Sequence, residues 1–172
     1  MAVHVALLRA VNVGGTASLA MADLKAICEG LGFADVKTYI QSGNVLFRSD
    51  LPAAEAAATL DEALRAKLGK APGVMIRTGA ELQAIADRAP FPDAKPNLLH
   101  VVFLNEPAPE DALQKLVAPD GEEVLVAGCE IYIHFPDGSG RSKFRLPAAK
   151  PGTARNLNTV RKLAALALDM DD

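Results

Sequence analysis

Arg9, Asn12, Gly14 and Gly15 fall within one short stretch, Leu7–Leu8–Arg9–Ala10–Val11–Asn12–Val13–Gly14–Gly15, and their types suit the holding of an oxyanion. A guanidinium supplies charge, an amide side chain supplies both donor and acceptor, and paired glycines let backbone N–H groups turn toward one anion. The same residues also fit a plain turn with Arg9 paired to a carboxylate. The stretch is not a P-loop, because the Gly-Lys-Ser/Thr ending and its spacing are missing. A second set is Gln41-Ser42-Gly43-Asn44. It is hairpin chemistry first, since Gly and Asn tolerate positive φ. Ser42 and Asn44 are its candidate ligand contacts. A third set is Arg155, Asn156 and Thr159, at the start of the last apolar periodic segment. Asn156 or Thr153 can cap a helix there, and a helix N-terminus beside an arginine attracts anions. Between Ser139 and Lys162 stand Arg141, Lys143, Arg145, Lys150, Arg155, Arg161 and Lys162, seven of the 18 basic residues, with no Asp or Glu among them.

None of the three sets holds a Cys, His, Asp or Glu, the usual carriers of proton transfer and nucleophilic attack. Ser42 has no base near it in sequence and no GxSxG context. His4, His100 and His134 all fall within strand-like runs without metal-ligand spacing, so they read as satisfied strand histidines and no metal is expected. Cys28 and Cys129 form no CxxC pair and read as reduced, structural thiols. No cofactor motif is present. The chemistry on offer is therefore oxyanion binding without an evident catalytic group. Whether a reaction is catalysed stays open.

Several elements must position these residues. Val3–Leu8 reads as a buried strand. Leu24, Ile27, Cys28 and Leu31 mark one face of a helix, with Gly32 at its end. Val36–Ile40 and Val45–Phe47 are strands around the hairpin turn. Ala53–Leu68 is an alanine-rich helix closed by Gly69, and Val74–Arg77 is a further strand. This order, βαββαβ, is the split βαβ or ferredoxin-like unit. Such a unit is expected to hold the first loop and the hairpin tip at opposite ends of its sheet. Glu81–Arg88 is a short connecting helix, followed by a linker with Pro90, Pro92 and Pro96. The second half reads as a strand at Leu99–Leu104, a helix at Glu110–Val117 with Leu113, Leu116 and Val117 inward, and strands at Glu123–Val126 and Glu130–Phe135. One helical turn is expected between Gly140 and Leu146, then a last helix at Asn156–Leu168. That order is βαββα, the same unit with its final strand missing. His4–Arg9 lines up with His100–Asn105, and Gly43 with Gly128, so the loop from Arg9 to Leu19 carries about eleven surplus residues in the first copy.

The three sets together resemble a bacterial family, the domain of unknown function 1697. The resemblance rests on Leu7–Gly15, on Met21 and Leu24, on Thr38-Tyr39-Ile40-Gln41-Ser42-Gly43-Asn44-Val45, and on Thr153-Ala154-Arg155-Asn156-Leu157-Asn158-Thr159-Val160 with Lys162-Leu163. Leu157 stands where the family pattern has Trp. The resemblance implies a fold similar to duplicated ferredoxin-like proteins and brings no mechanism with it.

The expected architecture is α+β, a tandem duplication of ferredoxin-like units, the first βαββαβ and the second βαββα. Residues 1–79 form the first half, 80–97 the connecting helix and linker, and 98–172 the second half. Half of the 172 residues are hydrophobic and 23% are charged, an ordinary globular composition that excludes a disordered chain. A net charge of −3 argues against a general nucleic-acid coat. The chain opens on a strand with no signal-peptide pattern, and no apolar run approaches the ~20 residues of a membrane helix. A cytoplasmic protein is expected. The favoured partner is a phosphorylated small molecule or nucleotide, held by Arg9, Asn12, Gly14, Gly15, Ser42, Asn44, Arg155, Asn156 and Thr159. Nucleic acid ranks lower, since Tyr39, Phe47 and Tyr132 form no RNP pattern. A structural or interaction protein is the further alternative. The oligomeric state is open.

Overall fold

Val3, Val5 and Leu7 alternate with His4, Ala6 and Leu8, and all six side chains are buried, so strand β1 (Ala2–Leu8) is covered on both faces. The computed structural model describes residues 1–9, 19–39 and 43–171. It is an α+β protein, with two four-stranded antiparallel sheets and four α-helices among the described residues. By internal contacts the chain divides into two units. One holds Met1–Leu82 with Leu163–Asp172, the other Gln83–Lys162. The division falls inside two helices, and residues from 163 onward belong with the first unit, where the sequence reading put the whole last helix with the second.

In the first unit β1 is followed by α1 (Met21–Gly30), β2 (Ala34–Tyr39), β3 (Asn44–Ser49), α2 (Ala53–Leu68), β4 (Val74–Arg77) and the start of α3 (Gly79–Asp87). The strand order is β2-β3-β1-β4. One face of the sheet presents Ala6, Leu8, Val45, Phe47, Val74 and Ile76 to Leu24 and Cys28 of α1 and to Ala56, Leu60 and Leu64 of α2. Leu60 and Leu64 stand four residues apart and so share one helix face. Phe33 and Phe47 stack with ring centroids 4.1 Å apart. Gly69, in the left-handed region at φ 86°, ends α2 and donates its N–H to the Arg65 carbonyl. A capping box starts α3: Thr78 N–H donates to Glu81 Oε1 at 2.9 Å and Glu81 N–H to Thr78 Oγ1 at 3.1 Å.

The second unit contains β5 (Leu99–Phe103), β6 (Glu123–Ala127), β7 (Glu130–His134), β8 (Thr153–Asn156) and the first turns of α4 (Leu157–Asp171). Its strand order, β6-β7-β5-β8, repeats that of the first sheet position for position. The pairing repeats as well. Val5 lies opposite Leu46 and Arg77, and Val101 lies opposite Tyr132 and Arg155. Leu8 N–H donates to the Gly43 carbonyl and Leu104 N–H to that of Cys129, both at 2.9 Å. Gly43 therefore corresponds to Cys129 and not to Gly128, and the surplus expected in the first unit shrinks by one residue.

Three expectations about this unit are overturned. The fourth strand is present, because Thr153–Asn156 pairs antiparallel with β5. Glu110–Val117 is not a helix: it makes successive short turns, with Ala112 N–H donating to Pro109, Gln114 to Asp111 and Leu116 to Leu113. Prolines at 107, 109 and 119 bound the stretch, and Val117 is drawn into an antiparallel bridge with Arg145. Leu113 and Val117, expected inward, are exposed, while Leu116 packs on the core. The expected helical turn between Gly140 and Leu146 is displaced to a 3-10 turn at Pro147–Ala149. No helix of the described residues is long and apolar enough to cross a membrane.

Candidate functional site

β1 ends at Leu8 and hands the chain to Arg9. Arg9 is half-buried, and its N–H donates to the Gly73 carbonyl at 3.0 Å, which ties the start of the first loop to the entry of β4. Gly73, at φ 96°, lies in the left-handed region that favours glycine and sits against the Arg9 stem, where a Cβ would lie in ordinary contact, 3.6 Å from Arg9 Cβ and 3.7 Å from Arg9 Cδ. The Gly73 N–H is held in turn by Asp61 Oδ1 of α2 at 2.9 Å. On the other side of β1, Leu8 donates to Gly43 at the foot of the hairpin. Asn44 is fully buried, and its Nδ2 donates to the Tyr39 carbonyl at 3.0 Å, closing the hairpin's neck. The first loop and the hairpin thus leave the sheet at the same end. The expectation of opposite ends is corrected, and the physical reason is connectivity. β1 and β2 both run antiparallel to β3 between them, so their C-terminal ends coincide. Asn12, Gly14, Gly15 and Ser42 lie outside the described residues.

The third set sits in the second unit. Arg155 is buried in β8, where its Nη1 donates to Thr153 Oγ1 at 2.7 Å and to the Ala154 carbonyl at 2.9 Å. Burial lowers its pKa to about 10. Asn156 is the last residue of β8 and the N-cap of α4: its Oδ1 accepts the Thr159 N–H at 2.9 Å. Thr159 and Asn156 are half-buried. A sequence reading finds the cap from residue type, but the short strand before it has no apolar alternation to announce that Arg155 points inward.

The second unit also carries a feature that sequence reasoning missed. In the first unit one sheet face is covered by α1 and α2. In the second, the corresponding segments 104–122 and 136–152 are irregular, and they cover Val102, Leu104, Ile131, Ile133 and Phe135 through Leu116, Phe144, Leu146, Ala148 and Ala149. The later segment is pinned at few points. Val117 and Arg145 exchange backbone hydrogen bonds at 2.9 and 2.8 Å, and the Ser142 hydroxyl donates to Glu122 Oε1 at 2.6 Å. Between this segment and the sheet lies an apolar hollow of about 610 Å³. Phe135 and Phe144 meet edge to face at 5.3 Å in its wall, and Arg145 and Lys150 are the charged residues lining it.

Titratable groups elsewhere serve the core. Among the described residues neither cysteine forms a disulfide, and burial pushes the Cys28 thiol up to about 12. His100 packs edge-on against Phe135 at 5.0 Å, and burial lowers its pKa. His4 is buried beside Phe47, and neither ring nitrogen has a hydrogen-bond partner among the described residues, so the expectation of satisfied strand histidines fails there. Among the described residues no group of three or more His, Cys, Asp or Glu is placed to hold a metal ion.

Residues 1–132 match the family described as "Protein of unknown function (DUF1697)". Among solved structures the chain is similar to one described as the conserved bacterial protein SP0830 from Streptococcus pneumoniae. That similarity has 22% identity and a TM-score of 0.76 and covers 96% of this chain and 98% of that one. No curated protein matches. The solved structure shares the fold, and the family match spans most of the chain: the protein belongs to the DUF1697 family of proteins of unknown function.

Proposed function

We propose that the protein is a cytoplasmic binding module for a phosphorylated small molecule or nucleotide, and that its ligand sits at the end of the first sheet. One observation carries the reading. The backbone bond from Leu8 to Gly43 brings the start of the glycine-ended loop beside the foot of the hairpin, and the bond from Arg9 to Gly73 ties that start to the entry of β4. Arg9, Asn12, Gly14, Gly15 and Ser42 are then the residues that contact the anion, and Asn44 holds the hairpin neck in place. Arg155, Asn156 and Thr159 are left out of this site, because strand and cap hydrogen bonds already engage them. The scaffold reading that accompanies it is a duplicated ferredoxin-like fold, supported by two sheets of identical strand order.

The test is a thermal-shift screen against inorganic phosphate, nucleotides and sugar phosphates at low and moderate salt, repeated with Arg9→Gln. A ligand that binds only the folded state raises Tm. The expected result is a selective rise that survives moderate salt and disappears in Arg9→Gln. A rise that Arg9→Gln leaves intact, or none, overturns the site. A rise confined to RNA or DNA oligomers and fading steeply with salt identifies a nucleic-acid binder instead.

A further inference from the structure

We infer that the hollow on the second sheet is a separate binding site for a small aliphatic carboxylate, an acyl anion with its chain on the sheet and its head at Arg145. The face beneath the hollow is built from Val102, Ile133 and Phe135, with Phe144 and Leu146 above it and Ala154 at its side. Register explains why they share a face: Val102 lies directly opposite Ile131 and Ala154, and Ile133 follows two residues along from Ile131. The volume, about 610 Å³, falls within the range of small-molecule pockets.

Three features select the ligand class. Several backbone polar groups in the wall are already engaged: Arg145 N–H and carbonyl with Val117, Gly152 N–H with Ala149, and Lys150 N–H with Pro147. A base or sugar placed there would lose its hydrogen bonds to water with few replacements, whereas an alkyl chain makes none and gains by shedding its hydration shell. The charged residues lining the hollow are Arg145 and Lys150, both cations, and no Asp or Glu stands anywhere from Gly138 to Leu168. The Arg145 guanidinium has no hydrogen-bond or ion-pair partner among the described residues. A fork of donors at the edge of an apolar slot suits a carboxylate. The site shares no residue with the one proposed at the end of the first sheet, so either can fail without the other.

The experiment is isothermal titration of the full chain with decanoate below its micelle concentration, beside decyltrimethylammonium, which has the same chain and the opposite charge. Decanoate is expected to bind at one per chain and at least tenfold more tightly than the cation. Arg145→Gln should weaken decanoate by about tenfold. Ala154→Trp, at an exposed position, should fill the hollow and abolish binding. Ala149→Trp serves the same purpose if the first variant loses its circular dichroism. Equal binding of the two amphiphiles, decanoate binding untouched by either filled variant, or no binding at all overturns the inference. So does a dimer in sedimentation velocity that the filled variants dissociate, since the hollow would then belong to a second copy of the chain.

Discussion

Arg155 is a cation turned inward. Its guanidinium spends at least two of its donors on Thr153 and Ala154 of its own strand, and Arg77 holds the matching place in the first sheet, with Nη1 donating to the Ile76 carbonyl. Truncating Arg155 to Ala should lower stability by about 2 kcal/mol in urea denaturation, because the Thr153 hydroxyl and a buried volume are left without their partner. His4 gives the opposite expectation. Its ring has no hydrogen-bond partner to lose among the described residues, so His4→Phe should leave stability unchanged or raise it, measured as Tm. His100 adds a pH dependence. Burial depresses its folded pKa below 6.5, so between the two values the unfolded chain takes up a proton that the folded chain refuses. Stability should fall as pH drops through about 6.5 toward the folded pKa, and His100→Phe should flatten that fall in urea midpoints taken from neutral to mildly acidic pH. Residue type alone announced the Asn156 cap. It did not announce which side of a strand Arg155 occupies, since alternation over four mostly polar residues carries no hydrophobic signal.

Elements were legible in proportion to how periodic they are. The apolar spacing of Leu60 and Leu64 and the closing glycine mark α2 at the same Ala53–Leu68 bounds that the structure shows. The strand β8 was hidden, because its place in the sheet is decided by long-range pairing with β5 and not by its own composition. The 110–117 stretch read as a helix because its leucines have the right spacing. A short segment between prolines, however, must find tertiary cover to hold helical geometry, and here an extended bridge to Arg145 competes for it. Gly152, at the entry to β8, tests the same element. An added Cβ would lie 2.6 Å from the Phe103 carbonyl oxygen and 2.7 Å from Val102 Cγ1, so Gly152→Ala should displace β8 and cost more than about 2 kcal/mol in urea denaturation.

At the scale of the whole molecule, one strand order appears twice with different cover. α1 and α2 seal a face of the first sheet, while irregular segments lie over the second. Hydrogen exchange should register this contrast, with amides of α2 protected and those of Ser139–Phe144 exchanging early, because few backbone bonds hold that segment. The shared strand order was foreshadowed by the aligned His4 and His100 strands, but the candidate site was only half visible. Residue types suggested an anion, while the shared end of the first loop and the hairpin follows from strand direction, which composition does not encode. The division of the chain has a consequence for synthesis. The first unit comprises Met1–Leu82 and Leu163–Asp172, so the whole of the second unit is translated between its two pieces. In that interval Arg48 lacks the Met170 carbonyl that accepts its hydrogen bond, and Gly79 lacks the Ala167 and Leu168 atoms it packs against. At ribosomal rates of ~5–20 residues per second the gap lasts on the order of 4–16 s. A nascent chain therefore waits, with its first sheet assembled and one segment short, for a helix that the ribosome has yet to make.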